Sequence, residues 1–291
     1  MDDNEFLARR FEQNRIHLKA VAYRMLGSLS EAEDAVQEGW LRLSRSETAE
    51  VENLRGWLTT VVARVCLDML RARTTRREES LDAHVPDPIV SAVDGADPEQ
   101  EAVLGDSVGL ALMVVLDTLT PAERLTFVLH DMFALSFDEI APIAGRTPGA
   151  SRQLASRARR RVQGSGPVPD ADLVRQREIV EAFMAAARDG RFDSLLELLD
   201  PDIVLRADRG ADGSGVVRGA RAVTEQALTF SRFAPFARLA LVNGTAGVVA
   251  APDGTAMSVM AFTVADGKIA RIDILADPDR LQHLGLPLVT D

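Results

Sequence analysis

Two stretches of the chain lack apolar periodicity, and they oblige it to fold as three separate pieces. Residues 78–106 include EESLDAHVPDPIVSAVDGADPEQE, rich in proline and aspartate, and no lysine or arginine occurs from Glu78 to Glu123. Such a segment buries too little apolar surface to offset the entropy of ordering it, so it reads as an extended acidic linker. Residues 164–172, within QGSGPVPDAD, read as a second, shorter linker by their Gly and Pro content. In a chain of 291 residues this leaves 1–77, 107–163 and 173–291, each long enough for a core of its own.

The first piece carries helical period throughout. Phe6, Phe11, Leu18, Val21, Ala22, Met25 and Leu26 mark one apolar face, ending at Gly27. Ser30 with Glu33 three residues on has the form of a capping box for the next helix. That helix carries Ala32, Ala35, Val36, Trp40, Leu41 and Leu43 on its apolar side, and Glu31, Glu33, Asp34, Gln37 and Glu38 on a polar, largely acidic one. After the polar loop SRSETAEVEN, a third helix places Trp57, Leu58, Val61, Val62, Val65 and Met69 on one side. Arg64, Arg71, Arg73, Arg76 and Arg77 gather toward its end. A helical bundle follows, with both tryptophans assigned to its core.

The second piece resumes helical period near Ser107, breaks at Leu119-Thr120-Pro121, and continues with Leu125, Phe127, Val128 and Leu129. It then reaches SFDEIAPIAGRTPGASRQLASRARRRV, residues 136–162. Ile140, Ile143 and Ala144 give a short helix one apolar face, Gly145 stops it, and Thr147 with Pro148 reads as an N-cap followed by proline at the first helical position. Beyond, Ser151, Leu154, Ala158 and Val162 share a stripe. Six arginines from Arg146 to Arg161 occur without one acid. Two helices joined by a tight turn, the second basic, is an arrangement that reads a major groove. The whole chain has a net charge of −11, so any DNA contact must come from such local basic surfaces.

The third piece changes character. Leu173 to Arg188 is an amphipathic helix stopped by Gly190, and Phe192 to Leu199 a shorter one. IVLRAD is a strand candidate, RGADGSG a loop, and Ala220 to Phe230 helical again. Asn243-Gly244, Asp253-Gly254 and Asp266-Gly267 then punctuate apolar, β-rich runs as hairpin turns do, so the reading is a four-stranded antiparallel meander with helices packed on it, an α+β domain. The carboxylates Asp208, Asp212, Asp273 and Asp277 each have a plain structural role open to them, and none pairs with a histidine or second acid at telling spacing, so no catalytic residue is assigned. The four histidines show no metal-ligand spacing, and the single Cys66 leaves no disulfide framework, as in a reducing cytoplasm. No metal, cofactor or membrane span is expected, and the acidic opening residues Asp2, Asp3 and Glu5 do not read as a signal peptide.

With these motifs assembled, the chain resembles the extracytoplasmic-function (ECF) sigma factors of bacterial RNA polymerase. AEDAVQEGWLRL and LRGWLTTVVARVCLDMLR resemble their region 2, and LTPAERLTFVLHDMFALSFDEIA with the helix-turn-helix resembles region 4. The tail is similar to the SnoaL-like, NTF2-type fold, a combination found in the sigma-J-like subgroup, and WLTTVV, FVLHD, RQLASRAR and DPDRL (Asp277 to Leu281) support that closer match. The resemblance implies that Asp34, Gln37 and Glu38 dock on core RNA polymerase. It implies that Asn53, Arg55, Arg64, Asp68 and Arg71 serve the downstream promoter element. In the recognition helix, Arg152 suits guanine and Gln153 adenine, Ser151 and Ser156 suit phosphate or base, and Arg157, Arg159 and Arg160 suit the backbone. The linker acids Asp82, Asp87, Asp94, Asp97, Glu99, Glu101 and Asp106 would lie along basic walls toward the RNA exit path. The tail is then a regulatory module, with room for a small-molecule ligand, contacting the sigma core through Asp208, Asp277, Asp279 or Arg280. A helix-turn-helix regulator with a ligand-sensing domain, or a SnoaL-like enzyme tethered to DNA, are the competing readings.

Overall fold

Gly27, in the left-handed region at φ 72°, ends a 24-residue helix, α1 (Asp3–Leu26), and turns the chain toward α2 (Leu29–Ser44). The computed structural model describes residues 3–45, 53–76, 83–92, 109–166, 169–210 and 213–286. It divides into two units: Met1–Glu79 with Val115–Ser165, and Ser80–Val114 with Gly166–Asp291. Among the described residues, no helix is long and apolar enough to cross a membrane.

In the first unit the cap of α2 is Ser28 rather than the expected Ser30. Gly27 leaves Ser28 extended (φ −124°), so its hydroxyl accepts from the Glu31 amide, and the Glu31 carboxylate turns instead to Arg73. Asn53 caps α3 (Leu54–Arg76) by accepting from the Gly56 amide at 2.9 Å. The three helices bury Leu18, Tyr23, Met25, Ala35, Leu43, Leu58 and Cys66 between them. Trp40 and Trp57 are only half-buried, Trp40 lying 5.2 Å from the Phe11 ring, and Leu41 is exposed because its position on α2 faces away from α1 and α3.

The division between the units falls within α4 (Leu110–Asp117). Then follow α5 (Pro121–Phe127), started by a Thr120–Glu123 capping box, a π-helical turn at Val128–Met132, α6 (Phe137–Ala144) and α7 (Pro148–Gln163). This part packs on the three-helix part of the same unit. The buried Arg124 donates its Nε to the Arg24 carbonyl at 3.0 Å and pairs with Asp117. Arg24 in turn lies 4.8 Å above the Phe133 ring.

The second unit begins inside the expected linker. Ala83 to Ser91 are buried apart from a half-exposed His84, and Val90–Ser91 form a strand, β1, paired antiparallel with Leu241 and Val242. After α8 (Leu173–Arg188) and α9 (Phe192–Leu198) come β2 (Leu199–Asp208), β3 (Gly215–Arg218), α10 (Ala220–Thr229), β4 (Ala237–Val242), β5 (Thr245–Ala250), β6 (Ser258–Ala265), β7 (Lys268–Leu275) and α11 (Pro278–His283). Among the described residues the sheet order is β1-β4-β5-β6-β7-β2-β3. The expected meander β4–β7 is its centre, with Asn243-Gly244 and Asp266-Gly267 at positive φ in two tight turns. Asp253-Gly254 lies instead in a short 3-10 turn of a longer connection, and β2, pairing parallel to β7, with β3 beyond it, widens the sheet past the meander. Val180, Phe183, Leu205, Val248, Phe262 and Ile272 form the core between sheet and helices.

His17 sits where the two parts of the first unit meet, edge-on to Phe133 at 5.4 Å, with Nε2 3.1 Å from Thr59 Oγ1 and Nδ1 accepting from Arg55 at 3.0 Å. Burial first, then the positive charges of Arg55 and Arg24, lower its pKa from 6.5 to about 4. Between those values the unfolded chain binds a proton that the folded chain does not, so stability is full above pH 6.5 and lost as pH falls toward 4. Urea unfolding followed by circular dichroism is expected to show this loss between pH 7 and pH 5, and a His17→Gln variant to show a smaller one.

Candidate nucleic-acid interface and the clamped segment

The helix-turn-helix is built by local chemistry. Ser136 and Glu139 close a capping box at the start of α6, and these hydrogen bonds hold the Glu139 carboxyl below the usual carboxylate range. Gly145 caps its end in the left-handed conformation at φ 65°, which costs glycine little. Thr147 is extended and accepts from the Ala150 amide at 3.2 Å, and Pro148 opens α7. Cap and turn match the expected residues one for one.

Helical period then sorts the side chains of α7. Ser151, Ala155 and Ala158 are buried, while Arg146, Pro148, Gly149, Arg152, Gln153, Ser156 and Arg157 are exposed in one continuous N-terminal half. Ser151 therefore departs from its expected role as a DNA contact. It is fully buried, its Oγ has no hydrogen-bond partner, and the small side chain serves the close approach of α7 to its neighbours. The Arg152 guanidinium lies 5.2 Å over the Phe137 ring, which orients it across the turn, and Arg157 has no protein partner among the described residues. Toward the C-terminal end the arginines are committed inward: Arg159 pairs with Asp131 at 2.6 Å and Arg161 with Glu123 at 3.2 Å, leaving Arg160 exposed and, among the described residues, bonded only to the Ser156 carbonyl. Arg159 is thus neutralised by a pair that the sequence pattern alone does not reveal.

The other candidate surfaces of this unit are partly engaged. Asn53 uses its Oδ1 as a helix cap, Arg55 donates to His17, and Asp68 and Arg71 stand exposed 3.5 Å apart. Arg64 donates to the Pro142 carbonyl of α6 at 3.1 Å. On α2, Asp34 and Gln37 are exposed, and Glu38 pairs with Arg42 at 2.9 Å. Glu33 is held by Arg15 and Lys19, whose attraction outweighs burial and lowers its pKa.

In the second unit one carboxylate organises the site. Asp208, at the end of β2, accepts through Oδ2 from the Val85 amide at 3.0 Å and from Arg280 Nη1 at 2.8 Å, with His84 Nδ1 3.1 Å away. Its Oδ1 accepts from the Gly210 amide at 3.2 Å and from Ser214 Oγ at 3.0 Å. Burial would raise this carboxyl, but the bonds from His84, Val85 and Gly210 win and hold it well below the usual carboxylate range. Arg280 also donates to the Val85 carbonyl at 2.7 Å and pairs with Asp87. Residues 84–87 are thereby clamped from both sides, and 89–91 are zipped to the edge of β4, where Asn243 exchanges hydrogen bonds of 2.8 and 2.9 Å with Ile89.

Of the expected tail contacts, Asp208 and Arg280 hold the linker. Asp277 is instead the N-cap of α11, accepting from the Asp279 and Arg280 amides, and Asp279 is exposed. Gly210, at φ 60°, packs so tightly that a Cβ there would stand 2.4 Å from Asp277 Oδ2, which joins the loop RGADGSG to DPDRL. Asp273 is fully buried and paired with Arg206 at 2.9 Å; burial raises its pKa against the pull of Arg271 and Arg206. Asp212 and the linker acids Asp82, Asp94, Asp97, Glu99, Glu101 and Asp106 lie outside the described residues.

Comparison with known proteins gives the following. Residues 10–76 match the Sigma-70 region 2 family and residues 109–162 the Sigma-70 region 4 family. The chain is 38% identical to the ECF RNA polymerase sigma factor SigJ of Mycobacterium tuberculosis (strain H37Rv), over 96% of this chain and 93% of that protein. It is 36% identical to the probable ECF RNA polymerase sigma factor SigI of the same strain, over 98% of both. The crystal structure of Mycobacterium tuberculosis SigJ superposes with a TM-score of 0.78 at 37% identity, covering 97% of this chain and 99% of that one.

The clamp makes a cooperative prediction. Arg280→Gln removes the bonds to Asp87 and Asp208, and amide exchange at Ile89 and Asn243, remote in sequence from Arg280, is expected to speed up roughly tenfold or more.

Proposed function

Because this chain belongs to the extracytoplasmic-function RNA polymerase sigma factors, we propose that it binds core RNA polymerase and two promoter elements through the surfaces described, and that its C-terminal domain governs when they act. The exposed N-terminal half of α7 is the observation that carries the reading. There Arg152 takes a guanine edge, Gln153 an adenine edge, and Ser156, Arg157 and Arg160 the phosphates. The face with Asn53, Arg55, Arg64, Asp68 and Arg71 takes the downstream element, and Asp34, Gln37 and Glu38 take the polymerase, where exposed carboxylates steer association with a basic partner. Arg64 cannot serve the Pro142 carbonyl and DNA at once, so the two sigma regions part before both elements are held.

The C-terminal domain acts in control rather than catalysis. It holds residues 84–91 of the segment between the regions, and a clamped segment cannot follow a path through the polymerase. Release of the clamp is then a step on the way to the productive holoenzyme, which works in the cytoplasm beside its polymerase.

Arg152→Ala is expected to cost about 1–3 kcal/mol on the preferred promoter and to relax preference at one base position. Arg157→Ala should weaken all sequences alike and reduce the salt slope by about 1. Holoenzyme binding competed with single-base promoter variants separates the two; an equal loss on every sequence for Arg152→Ala counts against its assignment. For the control role, full-length Arg280→Gln is compared with the unaltered chain in transcription reconstituted with core polymerase, and identical output from both removes it.

A further inference from the structure

The helix-covered side of the sheet in the second unit holds a partly open cavity of about 240 Å3. Strand alternation aims Leu205, Ala207, Ile272 and Ile274 into it and turns Arg206, Asp208 and Asp273 to the opposite face. Phe183, Met260 and Phe262 add apolar walls, and the lining holds no carboxylate and no histidine among the described residues. A dry apolar cavity of about 150 Å3 accepts benzene, so this one has room for a ring with a short chain.

Among the described residues one cation lines this cavity. Arg209 is half-buried, and its guanidinium stands 5.6 Å from the centroid of Phe230, a cavity residue that is itself 43% exposed. Among the described residues no carboxylate pairs with Arg209. A guanidinium in a largely apolar chamber, whose other polar side chains are the neutral Gln226, Ser231 and Ser258 among the described residues, is complementary to one anionic head on an apolar body. A single cation also neutralises a single charge, which favours a carboxylate over a doubly charged phosphate ester.

We propose that this cavity binds a small hydrophobic monocarboxylate, its ring or branched chain between Phe183, Met260 and Phe262 and its carboxylate on Arg209. The site is independent of the sigma activity proposed above and is tested by binding alone. Its anchor is the residue that follows Asp208, so a bound carboxylate sits one residue from the clamp.

The test titrates the full-length chain by calorimetry with 3-phenylpropionate, octanoate and indole-3-acetate, and with 3-phenylpropionamide as the neutral counterpart. At least one acid is expected to bind saturably at one per chain, and the amide about tenfold more weakly than its acid. Arg209→Gln is expected to remove that difference by weakening the acid alone. Ala227→Phe, which fills the chamber from α10, should abolish binding of both. The proposal is overturned if none of the three acids binds at millimolar concentration, or if 3-phenylpropionate and its amide bind the unaltered chain equally well. Should either variant fail to fold by circular dichroism, the acid–amide comparison on the unaltered chain still decides.

Discussion

The carboxylate of Asp208 is the point on which the second unit depends. It is 5% exposed, and it gathers hydrogen bonds from the Val85 and Gly210 amides, Ser214 and Arg280, with His84 beside it. Three remote stretches of chain, the linker near residue 85, the loop after β2 and the C-terminal helix, converge on two oxygens. A buried charge without partners is costly, and removing one partner of such a set leaves the others unpaired. The linker is thus held by a polar network, reinforced at Ile89 and Val90 by pairing with β4. Gly210 completes the arrangement by letting the loop approach Asp277 more closely than any side chain allows.

A different economy shapes the first unit. Helix α7 commits its C-terminal arginines Arg159 and Arg161 to Asp131 and Glu123, which ties it to the preceding elements and neutralises charge at that end. Its N-terminal half is left exposed, so Arg152, Gln153, Ser156 and Arg157 keep the most freedom. The same unit packs its two sigma regions together through polar groups, Arg24, Arg124, His17 and Arg64. Polar joints separate at less cost than apolar ones, because water replaces the bonds that are lost.

Much of this was legible in the residues. Thr147 and Pro148, Gly145, the Asn-Gly and Asp-Gly turns and the limits of α8 are local signals, each settled by backbone chemistry within a few positions. Ser28 and Ser30 both precede a glutamate by three, so the pattern alone does not place the cap of α2, and the helix-ending Gly27 decides for Ser28. Leu41, exposed, and Ser151, buried, depart from the pattern for a related reason. Period gives a stripe, but which edge of the stripe is covered depends on the neighbouring helices.

By itself the sequence determined the order of pieces, their helical or β-rich character, the helix-turn-helix and its basic face, and the family whose motifs it carries. These follow from interactions that span a turn or two of chain. Only the tertiary structure decided that part of the acidic linker is a strand of the C-terminal sheet, that Arg280 and Asp208 hold it, and that Arg159 is already paired. It also decided that the second unit holds a partly open cavity with Arg209 among its lining residues. Proline and aspartate in residues 83–91 mark a segment unable to order itself. Its order comes from an edge strand and a carboxylate more than 100 residues away, and no local pattern encodes a partner at that distance.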